Sequence, residues 1–158
     1  MNGLIRGAAA GCSATFPMTL VMDAWLKELP QQEQYPLPPR PVAIGALQSI
    51  GAAERMTDSE RSTATIVGHF TMGTAAGACF GIVKDYIPLP AGIKGPAFGL
   101  AVWAANYAGI IPGLGLLSPP TRHPLRRTLL MIGAHLVWGG VTGMLAQPSR
   151  GQSNGHRK

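Results

Sequence analysis

Four apolar stretches, each of roughly 20 residues, hold most of this chain, and the charged side chains sit between them or at their ends. A helix of that length, rising about 1.5 Å per residue, covers about 30 Å, the thickness of a bilayer's hydrocarbon core. In that core a backbone must satisfy its own hydrogen bonds, so an apolar run of this length is expected as a helix. The spacing predicts spans over about 3–25, 60–83, 93–112 and 125–146. The expected fold class is therefore all-α, a four-span transmembrane helical bundle. Residues 1–147 form its single domain, and 148–158 form a disordered basic tail.

Hydrophobic residues make up 46% of the chain and charged residues 13%, about half the usual charged share. A soluble domain is the competing reading. It fails on spacing, because the apolar runs reach membrane-spanning length and the charges cluster between them. The net charge of +6 does not mark a nucleic-acid binder. Its basic residues are scattered over loops and tails instead of lying along one face with interleaved aromatics, so no nucleic-acid partner is expected. Cys12 and Cys79 both fall inside apolar stretches and read as small packing residues, not as a disulfide. Ala9-Ala10-Gly11-Cys12 has the form of a lipoprotein cleavage box, but the apolar run mostly follows it and Arg6 interrupts what precedes. Residues 3–26 thus read as a retained span.

Small residues repeat at intervals of four in every span. Gly3, Gly7 and Gly11 are continued in register by Thr15 and Thr19; Gly95 and Gly99 recur in the third span. Two spans share one pattern, His69 followed by Gly73 and Gly77, and His135 followed by Gly139 and Gly143. This spacing puts the small residues on one helix face, where backbones can approach closely. The expected packing glycines are Gly7, Gly11, Gly73, Gly77, Gly95, Gly99, Gly139 and Gly143.

The first two spans are joined by residues 27–57, whose stretch 31–41 holds four prolines and must be extended or turning. Val42, Ala46 and Ile50 then follow at helical spacing. They predict a short helix, either lying on the membrane surface or packed on the bundle. Thr57 and Glu60 fit a capping box at the start of the second span, and Pro124 suits the start of the fourth.

Counting about eleven residues inward from the side bearing the long connection reaches Thr15, His69, Asn106 and His135, roughly 16 Å deep. Each span thus contributes one polar group to a layer near the bilayer centre. Polar groups there should turn into the bundle. Three roles are open: interhelical hydrogen bonds that fix register; the lining of a cavity for a proton, ion or ligand; or bis-histidine ligation of a haem or metal by His69 and His135. The glycines below each histidine would leave room for a macrocycle, or would serve direct helix contact. Asp23 could pair with Arg122, Arg126 or Arg127, or stand solvated. No serine has base-and-acid partners, and Gly113-Leu114-Gly115 lacks the rest of a nucleotide loop. No catalytic residue is expected.

Leu37-Pro38-Pro39-Arg40 after the first span, Gly68-His69-Phe70 with Gly73 and Gly77 in the second, and Ala134-His135-Leu136-Val137-Trp138-Gly139 in the fourth carry a likeness. In these the chain resembles the YagU-like group, a family of uncharacterised bacterial inner-membrane proteins, over most of residues 3–146. It departs from the group in its short segment between the first two spans and its lack of a longer polar C-terminal tail. The resemblance implies an integral place in the inner membrane and no assigned catalytic residue. Six basic residues flank the side of the termini and seven the other, so the charge count does not orient the chain. The near-neutral 27–57 segment is easily translocated, which favours cytoplasmic termini. The expected function is that of a non-enzymatic accessory or structural membrane component. A small transport or proton-relay module using the His/Asn layer, and a haem-binding membrane protein, are the alternatives. Expected partners are the lipid bilayer and either a second copy or a larger membrane complex, with no cofactor unless haem.

Overall fold

The computed structural model describes residues 2–147, which are largely helical and contain no strand. Helix α1 is Gly3–Lys27, α2 is Pro39–Gln48 and α3 is Asp58–Val83. Helix α4, Ala91–Ala104, continues through a π-helical stretch, Ala105–Ile110, into the single turn α5, Ile111–Gly113. Helix α6, Leu125–Leu145, follows. The expected tail, 148–158, lies outside the described residues.

Three of these helices, α1, α3 and α6, are long and apolar enough to cross a membrane. The expected third span, 93–112, takes another form: a 14-residue α-helix, then a wider turn. Pro112 supplies a reason. Its ring has no N–H and crowds the carbonyl four residues back, and widening the preceding turn relieves that conflict.

The helix starts follow local chemistry. Asn2 caps α1 by accepting from the Leu4 amide at 3.3 Å. At α3 the Thr57 amide donates to the Glu60 carboxylate at 2.7 Å while the Glu60 amide donates to the Thr57 hydroxyl at 3.3 Å, the expected capping box. Pro17 lies within α1, yet the helix runs on unbroken.

Glycine sets the closest contacts. Gly3 lies on Gly81, Gly7 on Gly77 and Gly81, and Gly11 on Gly73 and Gly77, so α1 and α3 run antiparallel, backbone against backbone. A Cβ on Gly7 would come within 2.7 Å of the Gly81 Cα. Helices α4 and α6 pair likewise, Gly95 against Gly139 and Gly143, and Gly99 against Gly139 and the His135 carbonyl. The two pairs are joined along α1 and α6, where Ala14, Met18, Met22, Leu130, Ala134 and Trp138 form the core.

Helices α3 and α4 touch little along their length. Near the chain termini Phe80 meets Phe98, ring centroids 5.2 Å apart, beside Ala10 and Ala146. Toward the other end α2 packs on α3, with Ala43 beside Gly68 and the Arg40 guanidinium donating to the Ser62 hydroxyl at 3.3 Å. Val42 and Ala46 line a half-open cavity beneath α2, while Ile50 lies past the helix end and is exposed. The outer faces stay apolar: Phe16 is 61% exposed, Ile66 60% and Met144 66%. Such a surface is compatible with lipid.

Candidate functional site

Between the α2 end of the helices lies a cavity of about 260 Å³. Helix α3 contributes His69 and Met72 to its wall, the π-helical stretch Asn106 and Tyr107, α6 Met131 and His135, and α1 Met18. Pro38, Pro39, Val42 and Ala46 at α2 cover it. No charged side chain lines it among the described residues.

The position of the cavity follows from the glycine ridges. His69 sits one step beyond Gly73 on the face of α3 that meets α1, and His135 one step beyond Gly139 on the face of α6 that meets α4. Where glycine stands, backbones touch. Where imidazole stands, a ring must fit between them, and space opens beside it. The glycines below both histidines are occupied by the backbones of α1 and α4. They serve direct helix contact and lend no room to a macrocycle.

Three of the four expected layer residues, His69, Asn106 and His135, therefore share one cavity. Thr15 does not. It is fully buried, its hydroxyl donates to its own helix at the Gly11 carbonyl (2.8 Å), and it fills the space over Gly73.

A hydrogen bond to a carbonyl fixes the tautomer of His135. A carbonyl only accepts, so His135 Nδ1, 2.8 Å from the Met131 carbonyl, carries the proton. The neutral ring then has a bare Nε2. The Thr19 hydroxyl donates to the Thr15 carbonyl at 2.8 Å, which uses its one proton. His69 Nδ1 lies 3.5 Å from that hydroxyl, a long contact across to α1. Tyr107 packs edge-on to His135, ring centroids 5.8 Å apart. No hydrogen bond joins His69, Asn106 and His135 to one another among the described residues. The one cross-helix polar contact of these residues runs from His69 to Thr19, among the described residues.

His69 also borders a second, wider space of about 560 Å³, together with Thr19, Asp23 and Arg40. Asp23 is exposed and forms no ion pair among the described residues. Of the three arginines weighed as its partner, Arg122, Arg126 and Arg127, the last is engaged elsewhere. It is 4% exposed and donates to the carbonyls of Glu33 (2.6 Å), Tyr35 (3.0 Å) and Pro36 (3.1 Å). Its guanidinium lies 3.5 Å from the centroid of the Tyr35 ring, and the Tyr35 hydroxyl donates to His123 Nδ1 at 3.1 Å. This cluster holds the Pro-rich connection against α6, next to the cavity's cover.

Sequence reasoning passed over Arg127 as a loop anchor and the methionines as cavity wall. Arg127 falls at the first turn of an apolar span, where basic residues are ordinary flanks. Methionine in an apolar run reads as packing. The one available signal was periodic: Met72 follows His69 by three residues and Met131 precedes His135 by four, which puts each on its histidine's face. Comparison with family models, with curated proteins and with solved structures gives no match for the chain.

Proposed function

We propose that the chain is a small, non-enzymatic, four-span protein of a bacterial inner membrane, with both termini in the cytoplasm, whose working part is the cavity between its helices. The reading adopted is a transport or carrier module that admits a small ligand or ion to His69, Asn106 and His135. One observation carries it: three polar groups from three helices border one cavity and leave their hydrogen-bonding atoms free of each other. Polar groups at such depth are costly unless used. The α4–α5 segment acts as the fourth span, its α-helix extended by the π-helical stretch. The likeness to YagU-like proteins agrees with the membrane placement.

Two measurements test this. Cysteines placed one at a time at 86, 52 and 118 report sidedness by impermeant labelling. Four spans put residue 86 on the side of the termini and 52 and 118 opposite; any other distribution removes the fourth span. Function is read by complementation of a deletion strain with His69→Leu and His135→Leu. If both variants gain stability in detergent and complement fully, the cavity has no use and the accessory role stands instead. That second reading draws on the shallow groove along the exposed face of α3, bordered by Thr71, Thr74, Ala75 and Ala78, where a second membrane helix could pack closely.

A further inference from the structure

We infer that the cavity is a site for monovalent copper. The inference rests on the reading of the cavity as a binding site and names what it binds. His135 directs its Nδ1 proton at the Met131 carbonyl and keeps Nε2 as a bare lone pair, and His69 lines the same cavity. A site bordered by two imidazoles suits a Lewis acid. Three thioethers stand on the same wall, those of Met18, Met72 and Met131. Two are placed by helical register: Met72 one turn from His69 on α3, Met131 one turn from His135 on α6.

The donor set selects the ion. Thioether and imidazole are soft or borderline ligands, and thioether sulfur favours Cu(I) over Zn(II), Mg(II) or Ca(II). Hard divalent ions need carboxylate or carbonyl oxygens, and no carboxylate borders the cavity among the described residues. Charge argues the same way. In a low-dielectric interior without anionic ligands, a single positive charge is far less costly to place than two. Methionine has three rotatable bonds, so its sulfur can swing into a cavity of about 260 Å³ to complete a low-coordinate shell. Binding involves no electron transfer: Cu(I) enters and leaves as Cu(I).

The test uses the full chain in lipid nanodiscs, carrying Cys12→Ala and Cys79→Ala so that thiolates cannot bind the metal. Anaerobic Cu(I) titration against a chromophoric chelator should give one bound ion per chain. The copper X-ray absorption fine structure should show both sulfur and nitrogen neighbours. Met72→Leu with Met131→Leu, a volume-conserving pair, should remove sulfur scattering and weaken affinity about tenfold or more, with helicity by circular dichroism unchanged. His135→Gln should remove a nitrogen neighbour. Copper bound with nitrogen and oxygen neighbours alone, or equal affinity in the methionine variants, overturns the proposal. So does Zn(II) binding at least as tightly. If no metal binds but a short-chain quinol does, and Ala46→Trp blocks it, the copper assignment falls while the binding cavity stands. If neither binds, both fall.

Discussion

The indole N–H of Trp138 on α6 donates to the Gly11 carbonyl on α1 at 3.1 Å. That carbonyl also accepts the Thr15 hydroxyl at 2.8 Å. Gly11 meets α3 through Gly73 and Gly77, so one residue ties three helices together. Trp138→Phe keeps an aromatic ring near Phe98, removes the donor and leaves a smaller ring in a buried site, whose cavity adds to the loss. The bond is expected to account for about 0.6–1.5 kcal/mol of it, read from denaturant unfolding in detergent micelles. An unchanged midpoint would show that the bond contributes nothing.

Gly77 has no room for a methyl group, since a Cβ there would lie 2.6 Å from the Gly11 Cα. Gly77→Ala should therefore destabilise the α1–α3 pair by about 1–3 kcal/mol, because backbone has to move apart. Gly92, with nothing within 4 Å of such a Cβ, is the control, and Gly92→Ala should be neutral or slightly stabilising. Equal thermal midpoints for the two variants would refute the close pairing.

Arg127 holds three carbonyls of the Pro-rich connection from a nearly buried position. Arg127→Leu leaves those carbonyls without their charged donor and should cost about 2 kcal/mol or more. Amide hydrogen exchange of residues 33–35 should rise, while the amides of α3 remain protected. Uniform exchange along the chain would mean that the guanidinium supports the whole bundle and not this connection.

Cys12 lies near the middle of α1 and is a free thiol, half-buried. A bilayer around α1 excludes water and, with it, a charged maleimide. Cys12 should stay unlabelled in intact membranes and react fully after unfolding in sodium dodecyl sulfate. Rapid labelling in native membranes would place this part of α1 in water and remove the span.

Much of the fold was legible because it follows from solvent and period. Apolar runs of bilayer length became α1, α3 and α6 within about two residues of their expected bounds, and Thr57 with Glu60 marked a start that geometry repeats. The four-residue glycine spacing announced close helix contacts, though not which helix each ridge would meet. The stretch 93–112 was less transparent. Its hydropathy is continuous, but the conflict at Pro112 is a matter of backbone geometry and turned part of it into a π-helix.

By itself the sequence determined the three long helices and the small-residue faces, since these depend on hydropathy and period along one segment. Tertiary structure alone decided that Thr15 fills a helix contact while His69, Asn106 and His135 border a cavity, that α2 covers it, and that Met18, Met72 and Met131 share its wall. The reason is physical. A segment's period fixes which residues share its own face, but which faces meet, and where a ring holds two backbones apart, depends on packing between segments distant in the chain.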